Sequence, residues 1–509
     1  MSQSEFLDIN SSTKFDSLSK TEIIKKYSNL ELQYFELQKE ILKLKNQNLT
    51  EEQLNLILAE QFDGLQQAMY GASSERYKKP EDKKTKKENP LPNVKKPSER
   101  YPNIPVREEK IVFTKIPDCD ACGKKMTDSG LFEESEQLNV IPKRYEIIRF
   151  LRSKFRCSCH SCVATAAMPP RILDGSSYSD NMIIDVVASK YCDLIPIERY
   201  VQMASRGGLA GLPANSLIEL THSFAKFVTP VYEMIKQDIQ ESRVLHADET
   251  PHKMLEGSDV KSWYLWGFSN EKNCFLECKN TRSGNIAINL LNSSNCEVLV
   301  SDVFGGYSKA MTEVNKLRAE KKEKAIFNAK CNAHARRYFF KVRINYPQAE
   351  FYLENYHQIY LLNKLSKDRP PNEVLKVREK MTSYFLAMKI RAEEELQSKK
   401  IVERGKYHIA LNYYLENYAE LIYFINYTDV AIDNNAQERL LRSHVIGRKT
   451  WYGTHSERGA ETAAILFSII ETSKLNKVNP REYLTNLVQD LHNGKNPYTP
   501  NQYKDLYKI

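Results

Sequence analysis

Between Asp433 and Lys449 the chain reads DNNAQERLLRSHVIGRK, a set of residue types suited to phosphate and metal chemistry. If a helix begins at about Asn435, Glu438 and Arg442 stand at i and i+4 with Asn434 one turn earlier. An acid then lies on one face between an amide and a guanidinium. Arg439, Arg448 and Lys449 add positive charge beside it. One carboxylate among fixed cations fits a divalent ion with phosphate oxygens close by, because the metal needs the acid and the phosphate needs Arg and Lys. Taken alone, this helix is better read as a solvated amphipathic face whose Glu–Arg pair contributes a few tenths of a kcal/mol. The upstream sequence changes that balance.

SRVLHADET is an apolar run broken by a charged pair, and CEVLVSDVFGGYS is a buried-looking run that ends in Asp302 before a Gly-rich turn. Between them lie two further strand candidates, KSWYLWGFS and NCFLECKN. A buried strand that ends in Asp puts a carboxylate at a sheet edge, where ligands reach it. Asp248 and Asp302 do this on two strands. Glu249 must point to the opposite face from Asp248, so only one of that pair joins a site, and Asp248 is the choice because His246 shares its side. Each Asp alone is more simply a turn or cap. With Glu438 they form an acid series in the order strand, strand, helix. Transfer or hydrolysis of a phosphodiester needs an activated hydroxyl and a second cation at the leaving oxygen, and Mg²⁺ (or Mn²⁺) held by a few carboxylates supplies both. No P-loop and no GxSxG elbow is present.

After Asp302, KAIFNAKCNAHARRYFFKVR reads as a strand followed by a basic helix, with Arg336, Arg337, Lys341 and Arg343 lining a phosphate path. Cys331 and His334 have CxxH spacing, but without a second pair a buried Cys and a packed His are the commoner reading.

These residues sit in a chain of 509 residues, too long for one core. With 41% hydrophobic and 27% charged residues it reads as soluble, and no uncharged apolar run of about 18 residues marks a membrane span. No secretory leader is evident, and the reading is of a cytoplasmic protein. A net charge of +9 favours a polyanionic partner. Residues 1–75 carry Ile23, Leu30, Leu37 and Leu44 at heptad spacing, with Tyr27, Tyr34 and Ile41 between, and predict a coiled-coil arm that self-associates into at least a dimer. Residues 76–116 are rich in Lys and Pro and read as a basic flexible linker.

Residues 117–170 hold two cysteine clusters among the ten cysteines of the chain: Cys119 with Cys122, then Cys157, Cys159, His160 and Cys162. Together with strand-like RYEIIRFLRSKFR they predict a small zinc ribbon around a structural Zn²⁺. Cys119, Cys122, Cys159 and Cys162 are the preferred ligands, with Cys157 and His160 as the alternative pair. Residues 171–240 read as three helices, Asp180 to Asp193, Pro196 to Ser205 and Ala214 to Phe227, either a helix-turn-helix or a plain bundle. The strand region spans 241–344, a helical insertion 345–427, the Glu-bearing helix 428–468 and a helical C-terminal segment 469–509. The fold class expected is multidomain α+β. Trp451 and Tyr452 are candidates for stacking on an unpaired base.

LHADET, LVSDVFGGYSKA, CNAHARRYF, IDNNAQERLLRSHVIGRKTWYGT and IIETSKLNKVNPREYL, in that order, resemble the bacterial transposases of insertion-sequence family sixty-six. The arm, the GASSERY segment and the cysteine clusters also occupy the places they have in that family. The second cluster departs from it, since FRCSCHSC has an extra Cys and a His where a simple CxxC is usual. The resemblance implies an RNase H-like α/β catalytic core interrupted by the insertion, with Asp248, Asp302 and Glu438 as its DDE triad. It also implies Mg²⁺-dependent cleavage at terminal inverted repeats, strand transfer into target DNA, accessory proteins encoded by the same element, and residence at the nucleoid. Two other functions compete: a zinc-containing DNA-binding regulator with a vestigial core, and a nuclease that cuts without joining.

Overall fold

The computed structural model describes residues 96–111, 116, 120–121, 123–125, 134–141, 143–156, 162–256, 262–303, 305–398 and 401–508. The expected coiled-coil arm, the linker up to residue 95, and Cys119, Cys122, Cys157, Cys159 and His160 lie outside the described residues; Cys162 is described and exposed.

The chain divides into two compact units. The smaller comprises Arg76–Leu151 and Gly207–Leu209. It includes a four-residue helix, α1 (Pro97–Arg100), where the sequence predicts bare linker. Ser98 explains the difference: its backbone N–H and its hydroxyl both donate to Glu136 at 2.8 Å. The larger unit includes Arg152–Arg206 and Ala210–Ile509.

The alternating Arg144–Arg156 stretch, expected as strand, is extended in a sheet only over β1 (Lys154–Arg156), which pairs antiparallel with β2 (Val163–Thr165). Ile147, Ile148, Phe150 and Leu151 are exposed, so the alternation has no core to face.

Four helices follow: α2 (Asp180–Tyr191), α3 (Ile197–Arg206), α4 (Ala214–Phe227) and α5 (Thr229–Gln240). Ser179 caps α2 by accepting from the Met182 N–H at 3.3 Å, the usual service of a serine at that position. Leu217, Leu220 and Phe224 form the buried stripe of α4, while Glu219 and Lys226 face outward.

The five-stranded sheet that follows is mixed. Its strands are β3 (Val244–Lys253), β4 (Ser262–Ser269), β5 (Cys274–Lys279), β6 (Val298–Ser301) and β7 (Phe327–Lys330), in the order β5-β4-β3-β6-β7. β3, β4 and β5 are antiparallel neighbours, and β6 and β7 join parallel to β3. Parallel neighbours need crossovers, and α6 (Asn285–Leu291) and α7 (Gly305–Glu320) provide them. The Gly-rich turn expected after Asp302 is therefore the start of a helix. Gly284 is required by this arrangement, because a Cβ there would strike the Gly306 carbonyl. All four residues of β6 are buried, which is why VLVS reads as an unbroken apolar run.

After β7 comes α8 (Asn332–Val342), and the region expected as a helical insertion holds α9 (Ala349–Ser366), α10 (Pro371–Glu379), α11 (Thr382–Gln397), α12 (Lys406–Glu416) and α13 (Tyr418–Ile422), followed by a 3₁₀ turn. These helices share an aromatic core with Val298, Val300 and Ala329 of the sheet, and in it Phe339 stacks on Tyr352 at 4.1 Å and Tyr346 on Tyr407 at 4.9 Å. The chain then enters α14 (Asn435–Trp451), α15 (Glu457–Leu475), α16 (Pro480–His492) and α17 (Pro500–Tyr507). α15 is buried almost all round and closes the sheet at its β5 edge. The hydroxyls of Ser468 and Thr472 accept from the Leu276 and Cys274 N–H groups at 2.8 and 3.0 Å, so the edge strand offers those donors to no other chain. No described helix is long and apolar enough to cross a membrane.

Candidate active site

Side chains alternate along a strand, so Asp248 and Glu249 leave β3 on opposite faces. Glu249 is fully partnered: Arg282 donates to it from Nε and Nη2 at 2.9 and 2.8 Å, and the Tyr307 hydroxyl donates at 2.8 Å. Asp248 accepts from the Glu249 backbone N–H at 2.9 Å. Burial pushes its carboxyl up to about 8, and the nearby carboxylates of Glu249, Asp302 and Glu438 push the same way. Asp302 and Glu438 thus both lie near Asp248, although 190 residues separate Asp248 from Glu438 in sequence.

The sheet accounts for the first two. β3 and β6 run parallel with His246 opposite Val300, so two residues further on Asp248 comes level with Asp302. Lys330, at the end of β7, donates to the Asp302 carbonyl at 3.2 Å. Burial lowers its amine to about 8, against the pull of Asp302. Sequence reasoning missed Lys330, which reads as one more Lys in a basic stretch until β7 is placed beside β6.

Glu438 arrives from the other side of the chain, and its position is fixed by Asn434. The Asn434 side chain donates to the Ala247 carbonyl at 2.8 Å and its oxygen lies 3.0 Å from His246 Nδ1, which is thereby the donor. The start of α14 is thus tied to the two residues preceding Asp248. Burial holds His246 below the usual histidine range, so it serves as a neutral anchor on the face it shares with Asp248. The other strap runs to α8. Asn434 N–H donates to Cys331 Sγ at 3.1 Å, and Asn332 donates to the Ile432 carbonyl from its backbone at 3.2 Å and its amide at 3.0 Å.

The predicted ion pair of Glu438 with Arg442 is not the contact formed. Glu438 Oε1 lies 3.8 Å from His334 Nε2 and has no hydrogen-bond partner. The reason is the strap: with Asn434 held against Cys331, the first turn of α14 faces the first turn of α8.

α14 lies close on the sheet because position 267, opposite Asp248 in β4, is glycine. A Cβ there would collide with the Gln437 amide. Gln437 itself is completely buried, and neither end of its amide has a partner. The far end of α14 is fastened as well. Thr454 N–H donates to the Lys253 carbonyl at 3.1 Å, Leu255 N–H donates to the Thr454 carbonyl at 2.8 Å, and a Cβ on Gly453 would strike the Lys253 carbonyl. Next to this seam, buried His252 has one ring nitrogen 3.1 Å from His444 and the other 2.8 Å from the Thr454 hydroxyl.

Of the predicted phosphate-binding residues, Arg439, Arg442 and Lys449 lie along the outer face of α14, and Arg448 is half-buried. Arg336 and Arg337 are half-buried on α8, with Arg336 over the Phe340 ring at 5.8 Å. Trp451 packs into the core against Gly447, whereas Tyr452 stands 72% exposed with φ +67° at the end of α14.

Residues 175–462, more than half of the chain, match the family described as "Transposase IS66 family". Among curated proteins the chain is similar to three of Sinorhizobium fredii that carry the description "uncharacterized". It is 23% identical to y4hP over 408 residues, covering 75% of this chain and 72% of that one. It is 24% identical to y4qI over 405 residues, covering 76% and 73%. It is 23% identical to y4jD over 389 residues, covering 73% and 74%.

Proposed function

Because this chain belongs to the IS66 family of transposases, we propose that it cuts DNA at transposon ends and joins the freed ends to target DNA through Asp248, Asp302 and Glu438. The observation that carries this reading is the convergence of the three acids around Asp248, whose carboxyl the other two help to raise to about 8. Buried carboxylates that repel one another are unfavourable for stability, and such arrangements concentrate at functional sites.

The donor set fits hard divalent cations: oxygen ligands only among the three acids, with Glu438 Oε1 buried and unpartnered. Asp248, Asp302 and Glu438 would hold Mg²⁺ or Mn²⁺, and when bound such ions activate the attacking hydroxyl and stabilise the leaving 3′ oxygen. The chain's own residues do the rest. Asn434 and Gly267 set Glu438 against the sheet end. Lys330 holds the backbone at Asp302 and places a positive charge beside it. Arg439, Arg442 and Lys449 present a basic outer face on the same helix, a track for phosphates that carries no sequence information. Arg448, Arg336 and Arg337 extend it. Against expectation β3 does not end at Asp248 but runs on to Lys253. One acid therefore lies midway along β3, one just past the end of β6 and the third on a later helix, an arrangement that supports an RNase H-like core with α9 to α13 as its insertion.

The zinc module, with Cys119, Cys122, Cys159 and Cys162 as ligands, and a self-associating arm belong to the same proposal, as do accessory proteins of the element. The test is a supercoiled plasmid bearing terminal inverted repeats, incubated with the protein and Mg²⁺. Nicked and joined products are expected. Cut ends without joined molecules would make the protein a nuclease, and a mobility shift without cutting would make it a regulator.

A further inference from the structure

We propose that His334 is a ligand of the divalent ion held by Glu438, so that this position has a nitrogen donor and takes Mn²⁺ in preference to Mg²⁺. The inference rests on the metal-dependent reading above and concerns a residue outside the acid triad.

The geometry begins with the strap between two helix starts. Asn434 N–H donates to Cys331 Sγ at 3.1 Å, and Asn332 is bonded to the Ile432 carbonyl. Residues three and four positions further along a helix lie one turn on, on the same face. His334 is three residues beyond Cys331, and Glu438 is four beyond Asn434, so the strap aims the two side chains at each other. His334 Nε2 stands 3.8 Å from Glu438 Oε1, too far for a hydrogen bond. Two donors that share an ion at about 2.1 Å each are roughly 3–3.7 Å apart, which is close to this separation. Ligand atoms of Cys331, His334 and Glu438 all lie within 4.8 Å of one another.

The second observation is what these groups lack. His334 Nδ1 and Glu438 Oε1 are buried and have no hydrogen-bond partner. Buried polar atoms are nearly always satisfied, and an ion between Glu438 Oε1 and His334 Nε2 would satisfy the carboxylate oxygen; Nδ1, on the other side of the ring, is not reached by it. Cys331 is engaged elsewhere. Its sulfur accepts the Asn434 N–H, so it acts as the staple between the two helix starts. The resulting donors are one imidazole and carboxylate oxygens. Mg²⁺ favours oxygen alone, whereas Mn²⁺ accepts imidazole more readily.

The experiment uses the full chain, stripped of metal with a chelator and titrated with Mn²⁺, with free Mn²⁺ followed by electron paramagnetic resonance. The His334→Ala protein is expected to bind one Mn²⁺ roughly tenfold or more weakly, at least the loss that follows removal of groups supporting a metal ligand, while its Mg²⁺ affinity changes little. Spin-echo modulation from a directly bound nitrogen, present with the parent chain, should disappear in His334→Ala and weaken in His334→Gln. A purely structural role would not move that signal. Unchanged Mn²⁺ binding and retained nitrogen modulation in a folded His334→Ala protein would overturn the proposal. So would a thiolate charge-transfer band with Co²⁺ that persists in His334→Ala, since Cys331 would then be the ligand. If the parent chain cuts plasmid DNA while His334→Ala binds Mn²⁺ normally, this inference fails and the function stands. If His334 proves to be a ligand in a protein that never cuts, the function fails instead.

Discussion

The two faces of β3 treat neighbouring acids in opposite ways. Glu249 is buried among donors, with Arg282 and Tyr307 saturating its carboxylate. Asp248, one residue earlier, is buried among other acids and sits at about 8. Both cost desolvation energy, but only on the Glu249 face does the protein offset that cost from within. On the function proposed here divalent ions complete the Asp248 face, and burial alone would not have told the two apart. What separates the structural carboxylate from the one proposed to work is the sign of its neighbours.

The sharpest test of this contrast is Asp248→Asn, which is expected to reduce cleavage and joining of repeat-bearing plasmid to background while end binding is retained. The same substitution should stabilise chelator-treated protein. The folded carboxyl lies at about 8, above its usual 3.8, so its contribution is fully present below 3.8 and is lost as pH rises through about 8. At alkaline pH the melting temperature of Asp248→Asn should therefore exceed that of the parent chain, and a lower one would break the comparison.

Gly267→Ala comes next. The methyl group meets the buried end of the Gln437 side chain, with Leu276 and Leu441 close beside it, so the underside of α14 must repack. Overpacking of this kind costs about 1–3 kcal/mol, and a shift of about 1 Å in Glu438 would cost roughly 10²-fold in rate. Thermal melts and a cleavage time course read the two separately. On the other face, Arg282→Ala leaves buried Glu249 short of a partner at a cost of roughly 1–3 kcal/mol, nearer the lower end because Arg282 is half exposed. Its melting temperature should fall by more than its activity.

The smallest effect belongs to the histidine pair. Burial, with Arg448 nearby, lowers His252 to about 4 and keeps it neutral, and His444 is lowered further. Their contribution is fully present above the usual 6.5 and is lost as pH falls through about 4. Melting curves between about pH 7 and about pH 4.5 should show acid destabilisation that flattens in His252→Gln.

Much of this was legible in the residues. The run VLVSD announces a doubly buried strand ending in an acid, and the alternation in LHADET separates Asp248 from Glu249 before any contact is known. The Glu438 helix was legible from the spacing of its residues and starts at Asn435 as expected, although the Asn434 side chain makes no cap and reaches β3 instead. What was not legible depends on partners distant in sequence. Gly267 looks like a weak point in a strand until Gln437 lies above it. Lys330 and His334 look like surface charge and core filler until β7 and α8 are set beside Asp302 and Glu438. The Arg144–Arg156 alternation misled for the converse reason, since a period of two marks a strand only where a buried face exists.

The fastening of α14 at both ends has a consequence for how such a chain can change. Asn434 clips one end to β3 beside Asp248, and Thr454 zips the other onto the same strand at Lys253. The helix and the strand therefore form a single brace, and the chain that leaves it through α8 at Asn332 comes back at Ile432, where the two are bonded to each other, while Val298, Val300 and Ala329 of the sheet share the core of the helices between. The loops between α9 and α13 can therefore lengthen or shrink while the acids hold their spacing, because the ruler that sets that spacing runs through the brace and the first turn of α8.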